Sequence, residues 1–150
     1  VVGDAPYADA YKARLRALAA GSDKIRFAGG VYGEGYDQLR AHAVCYVQAT
    51  DVGGTHPALL EAMAAGRAVI ANDIPEHREV LGDAGWYYAK NDAADLARRL
   101  REVLLAPGAE NARAEHAARA RARVAQHYDW ERVTDAYERL ARRLAVARAR

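Results

Sequence analysis

Short apolar runs alternate with stretches whose apolar residues recur at helical spacing, from the first residue through Tyr88. Val1-Val2 reads as a strand, and a helix follows over 8–20 in which Tyr11, Leu15, Leu18 and Ala19 share a face. Residues 25–28 form the next apolar run. Gly29-Gly30-Val31-Tyr32-Gly33 then leads into a short helix over 36–43. A third run over 44–48 precedes a helix over 57–65, which Gly66 ends as a C-cap. The runs 68–71 and 86–88 enclose a helix over 75–81. After Asp92, suited to an N-cap, helix dominates over 93–105, 109–127 and 130–147, with Pro107-Gly108 parting the first two. This alternation predicts an α/β fold: a doubly wound parallel sheet of about five strands with a helical C-terminal extension. Ligands bind such sheets at the carboxyl ends of the strands. The loops 3–7, 29–36, 48–56 and 72–78 are therefore the places to look.

One of those loops opens the most informative stretch, Asp51-Val52-Gly53-Gly54-Thr55-His56-Pro57-Ala58-Leu59-Leu60-Glu61-Ala62-Met63. Pro57 suits a first helical turn, because the amide it lacks would go unpaired there. Glu61 is the lone carboxylate among Leu59, Leu60, Ala62, Met63, Ala64 and Ala65, and a helix apolar on all sides is expected to be buried. A carboxylate inside it is either paired or faces a cavity that a ligand fills. Helical side chains lean toward the N-terminus, so Glu61 should point back toward the Gly53-Gly54 turn, whose amides and helix dipole favour phosphate. Diphosphate on the backbone and sugar hydroxyls on Glu61 describe a nucleotide-sugar site. A buried Glu61 bridging to an arginine or to loop backbone is the alternative.

Composition narrows the classes. The chain has 150 residues, 51% of them hydrophobic, enough for one domain with a core. A net charge of +2 argues against a nucleic-acid partner. Arginines crowd the region after Ala97, but they alternate with Ala and are interleaved with Glu102, Glu115, Glu131 and Glu138, as on solvated helix faces. Cys45 is the only cysteine and sits in the apolar run Val44-Cys45-Tyr46-Val47, which reads as a packed thiol in a reducing compartment. No apolar run has the length of a membrane span, and no signal peptide is visible. Opening mid-strand, the chain reads as part of something larger.

Five segments, in order, carry a resemblance. Val1-Val2-Gly3-Asp4-Ala5-Pro6-Tyr7, Ile25-Arg26-Phe27-Ala28-Gly29, Ala64-Ala65-Gly66-Arg67-Ala68-Val69-Ile70-Ala71, Ile74-Pro75-Glu76-His77-Arg78-Glu79-Val80 and Tyr128-Asp129-Trp130 lie at family spacing. Together they resemble the C-terminal, nucleotide-sugar-binding domain of retaining glycosyltransferases of the two-Rossmann (GT-B) type. The Gly-Gly-Thr-His-Pro stretch is similar to the rhamnosyltransferase-type subgroup of surface polysaccharide assembly. The resemblance implies that Glu61 binds the ribose hydroxyls and that Asp51 faces the donor sugar. It implies that Gly53, Gly54 and Thr55 offer amides to the sugar or diphosphate, and that Val31 meets the base through its main chain. The earlier acid of the family is usually Glu, at a shorter spacing; here it is Asp51, ten positions before Glu61. His56 either lies near the donor sugar or caps the helix. Tyr32 and Tyr36 either stack on base or sugar or close their loop over the core.

The resemblance further implies a partial C-terminal domain over 1–150, lacking the acceptor-binding N-terminal domain and the first strand-helix unit with its diphosphate-neutralising Arg and Lys. The isolated chain is then expected to bind donor weakly and turn nothing over. The expected activity of the parent is transfer of a hexosyl group, with rhamnosyl as the subgroup's example, from a nucleoside-diphosphate sugar to a saccharide or lipid-linked acceptor with retention. No cofactor and no metal is expected, and the location is cytoplasmic, with peripheral association at the inner membrane face left open. A non-catalytic Rossmann-like interaction module and a sugar-nucleotide epimerase fragment are the alternatives. Around this site the simpler readings hold elsewhere. Glu76 and Glu79 favour the dipole of their helix, and His77 reads as a surface histidine rather than a base. Trp130, Val133, Tyr137, Leu140 and Leu144 form one helix face for core or interdomain packing, part of it exposed here.

Overall fold

A computed structural model describes residues 1–148. Its centre is the strand β2 (Ala68–Asn72), in which every residue is buried. It lies between β1 (Cys45–Gln48) and β3 (Trp86–Tyr88) in a three-stranded sheet of order β1-β2-β3. Both pairings are parallel, with Cys45 opposite Ala68 and Ile70 opposite Trp86. The helices are α1 (Asp9–Ala19), α2 (Glu34–His42), α3 (Pro57–Ala64), α4 (Pro75–Leu81), α5 (Ala93–Leu105), α6 (Ala109–His127) and α7 (Trp130–Arg148).

Side chains alternate along β2, and both faces are covered, as an apolar parallel strand requires. On one face Val69 and Ala71 pack with Leu59 and Met63 of α3, Val80 and Leu81 of α4 and Ala120 of α6. On the other, Ala68 and Ile70 meet Val103 of α5, with Leu96 and Leu100 beside them. The α/β expectation is met, with helices on both faces of a parallel sheet whose strand order runs one way. Cys45 packs against this second cluster, and burial pushes its thiol above the ordinary value.

The helix boundaries follow local chemistry. Asp92 caps α5 by accepting from the amides of Ala94 at 2.8 Å and Asp95 at 3.0 Å. Helix α3 ends in a Schellman motif: Gly66, at φ +65°, donates to the Met63 carbonyl, and Arg67 to that of Ala62. Arg113 and Arg123 are not mere solvated charges. They reach the carbonyls of Val103 and Val80, each at 2.7 Å, near the C-terminal ends of α5 and α4.

The chain divides into two compact units, Val1–Leu39 and the residues from Arg40 onward. In the first, no residue is buried, and the two runs read as strands meet in a single parallel bridge, Val2 to Gly29. Three bonds hold it: Val1 N to Arg26 O at 2.6 Å, Gly3 N to Gly29 O at 2.7 Å, and Ala28 N to Val1 O at 2.9 Å. The sheet thus has three strands rather than about five, because two residues of strand cannot sustain a longer ladder. In the second unit, the face of Trp130, Val133, Tyr137, Leu140 and Leu144 on α7 is exposed rather than core. Among the described residues no helix is long and apolar enough to cross a membrane.

Candidate functional site

In a parallel sheet all strands end on the same edge, so the connections after β1, β2 and β3 converge there. Each strand gives way to polar residues: Gln48 at the end of β1 and Thr50 after it, Asn72 at the end of β2, and Lys90 and Asn91 after β3. Gln48 is 5% exposed and Asn72 is fully buried. Buried amides must find partners. Asn72 Nδ2 donates to the Thr50 carbonyl at 3.1 Å and to Asn91 Oδ1 at 3.0 Å, while Asn91 N donates to Asn72 Oδ1 at 3.0 Å. This exchange holds Asn91 at φ +59°, a conformation that asparagine tolerates better than most residues.

Asp51 lies on this edge. Its carboxylate meets Lys90 Nζ at 3.1 Å. A hydrogen bond from Asn91, then Lys90, holds its carboxyl below the ordinary value, so it stays ionised. Tyr88, beneath it, is pushed up by burial and then by the charge of Asp51.

The turn from Gly53 to His56 brings the chain into α3. Gly53, at φ +152°, carries the His56 ring against it: a β-carbon there would stand 2.4 Å from Cε1. His56 is the N-cap residue by position, but its side chain makes no capping bond. Its Nε2 instead faces Thr50 Oγ1 at 3.3 Å. Gly54 and Thr55 are exposed, and a β-carbon on Gly54 would meet nothing within 4 Å. Room for a ligand exists above them.

Glu61 departs from expectation in one respect. Leu59, Ala62 and Met63 take the buried face of α3, while Glu61 is 42% exposed at its side chain. The alanines made the helix look apolar all round without obliging every side to be buried. Glu61 meets Arg40 Nη1 at 3.4 Å, so it has the arginine partner of the alternative reading, but in the open. Its charge and, more strongly, burial push up the Tyr46 phenol. Glu61 and Thr55 share the wall of a cleft of about 750 Å³ with Pro57, Leu60, Tyr128 and Trp130.

His77 is a further correction. It is fully buried, not a surface histidine, with Nδ1 2.8 Å from the Asn72 carbonyl and Nε2 3.2 Å from Thr50 Oγ1. The sequence carried a signal for it: His77, Val80 and Leu81 stand at i, i+3 and i+4, the buried face of α4. Arg78, on the outer side, pairs with Asp73 and lies over the Tyr87 ring at 4.7 Å.

The structure therefore brings Asp51, Gly53, Gly54, Thr55, His56 and Glu61 into one connection and the helix it leads to. Val31 and Tyr32 belong to the other unit, where the Tyr32 ring folds over Gly30 and is 86% exposed. Among the described residues no three His, Cys, Asp or Glu side chains converge as a metal site.

Comparison with known proteins adds to this geometry. A family model described as glycosyl transferases group 1 matches residues 1–106. Phosphatidyl-myo-inositol mannosyltransferase of Mycolicibacterium smegmatis is 44% identical over 78 residues, 51% of this chain and 19% of that protein. The Anabaena HepE protein in complex with UDP superposes with a TM-score of 0.79 at 20% identity, covering 97% of this chain and 40% of that one. Sucrose-phosphate synthase of Thermosynechococcus elongatus gives 0.80 at 23% identity, covering 97% and 38%. These structural likenesses carry the fold. The chain spans about a fifth of the mannosyltransferase and about two-fifths of either structure.

Proposed function

The chain belongs to the glycosyl transferases group 1 family, and from that premise we propose that it is the donor-binding portion of a retaining GT-B glycosyltransferase. In this reading residues 1–150 are part of the C-terminal domain, and the acceptor is held by a domain outside this chain. The donor is a nucleoside-diphosphate hexose and the acceptor a saccharide or a lipid-linked saccharide. The segment Gly53–His56 favours the rhamnosyltransferase-type subgroup. The 44% identity to a mannosyltransferase favours mannosyl as the competing sugar.

The observation that carries the reading is the accessible carboxylate of Glu61, on the same cleft wall as Thr55 and one turn inside a helix that follows a glycine turn. Glu61 accepts bonds from the two ribose hydroxyls. Arg40 holds the carboxylate in place without closing it off. Gly53, Gly54 and Thr55 offer amides to the diphosphate, where charge grows as the bond to the anomeric carbon breaks. Asp51, kept ionised by Asn91 and Lys90, faces the sugar, and His56 stands beside it. That HepE was crystallised with UDP and with UDP-glucose supports a nucleoside diphosphate as the recognised unit.

Glu61→Ala tests it. Calorimetry with UDP, GDP, dTDP and ADP identifies the nucleotide that wild type prefers. Losing hydrogen bonds to a charged acceptor costs about 1.5–3 kcal/mol, so the variant should bind that nucleotide roughly tenfold to a hundredfold more weakly. Unchanged affinity in a folded variant removes the ribose role.

A further inference from the structure

Donor binding leaves the buried side chain of His77 without a task. Its surroundings define a chain of hydrogen bonds whose directions follow from the chemistry of each atom. A carbonyl only accepts, so the nitrogen of His77 facing the Asn72 carbonyl at 2.8 Å, Nδ1, carries a hydrogen. At the other end, Tyr46 donates its hydroxyl to Gln48 Oε1 at 2.6 Å, which turns the Gln48 amide nitrogen toward Thr50 Oγ1, also at 2.6 Å. The Thr50 hydroxyl has one hydrogen and two lone pairs. Gln48 occupies one lone pair. The hydrogen and the second lone pair are then shared between two imidazole nitrogens, Nε2 of His77 at 3.2 Å and Nε2 of His56 at 3.3 Å.

One wiring satisfies every member. Thr50 donates to the bare Nε2 of His77, and His56 must donate its own Nε2–H to Thr50. The opposite wiring puts hydrogens on both nitrogens of His77 inside a closed site, where none of its hydrogen-bond partners is a carboxylate. Burial penalises such a cation. With both rings neutral, this wiring gives the two imidazoles, 5.2 Å apart between ring centres, opposite tautomers. Gly53 leaves room for the His56 ring, since a β-carbon there would stand 2.7 Å from its Nε2.

We propose that Gln48, Thr50 and His77 are positioning residues that lock His56 in its Nε2–H form, so that Nδ1 is presented as an acceptor to a hydroxyl of the donor sugar. This rests on the donor-site reading for its ligand, but the wiring stands on its own geometry. In that reading the amides of Gly53, Gly54 and Thr55 take the diphosphate, which leaves the His56 ring to the sugar. The relay is therefore a device for recognising the sugar rather than the diphosphate.

Long-range proton–nitrogen NMR of the histidine rings in the whole chain tests the wiring without any substitution. Nε2–H on His56 and Nδ1–H on His77 is the expected result; the same tautomer on both overturns the proposal. Thr50→Val keeps the shape of the side chain and removes the hydroxyl. Affinities are then compared within the pairs UDP and UDP-glucose, GDP and GDP-mannose, and dTDP and dTDP-rhamnose. The pair that wild type binds should show roughly a threefold to tenfold loss for the nucleotide sugar and an unchanged nucleoside diphosphate, with Thr50→Ser restoring the nucleotide-sugar affinity. Equal losses for sugar and nucleotide overturn the proposal. Wild type that binds no nucleotide at all, with the tautomers as expected, sinks the donor-site reading and the sugar role with it, while the wiring survives.

Discussion

Gly53 and His56 form a pair in which the smaller residue decides where the larger one sits. The imidazole lies where a β-carbon on Gly53 would be, and the φ of +152° is one that other residues rarely adopt. Gly53→Ala should therefore displace the His56 ring and break its contact with Thr50, while α3 and the sheet remain folded. The NMR signals of His56 and His77 should both move, because Thr50 joins them, with only a modest fall in melting temperature. An unmoved His56 resonance in the alanine variant would show that the ring is held by something other than this close approach. At this scale the sequence was partly legible. The glycine turn, Asp51 and Glu61 stood out by type and spacing. Lys90, Asn91, Thr50 and Gln48 did not, because they join the site only when β1, β2 and β3 end side by side. His77 was hidden by its charged neighbours Glu76, Arg78 and Glu79, although its spacing from Val80 and Leu81 placed it inward.

The elements from β1 to α6 were legible because their ends carry strong chemical punctuation. Pro75 starts α4, Asp92 caps α5, and Gly66 closes α3. The first two strand-like runs were less so: among the described residues their strand pairing is a single bridge with each other. The contact of α6 with β3 makes a prediction of its own. His116 of α6 packs its ring on Trp86 of β3, with centroids 3.9 Å apart. Burial, and secondarily Arg119, lowers the His116 pKa below its usual 6.5. The folded state then binds fewer protons than the unfolded chain through this residue. Its contribution is present above about pH 6.5 and is lost as pH falls through the lower folded value. His116→Phe keeps a ring on Trp86 and cannot titrate. Its melting temperature should fall less between pH 7 and pH 5 than that of wild type. An identical fall in both proteins would remove His116 as a source of acid sensitivity.

For the whole molecule, the sequence carried the α/β class and a family resemblance, and the family itself is established over residues 1–106. Order of segments explains why: five modest matches in the right sequence constrain a fold more than any one motif. The apolar face of α7 shows the limit of such reading, because periodicity marks a face for burial without naming what covers it. The central claim is that the connection from β1 into α3 is a seat for a nucleoside diphosphate. The most direct measurement is an amide-resolved NMR titration of the 150-residue chain with UDP, GDP, dTDP and ADP. The account predicts that one of them produces saturating shifts largest at Gly53, Gly54, Thr55 and Glu61. Shifts concentrated elsewhere, or none with any of the four at millimolar concentration, would contradict it.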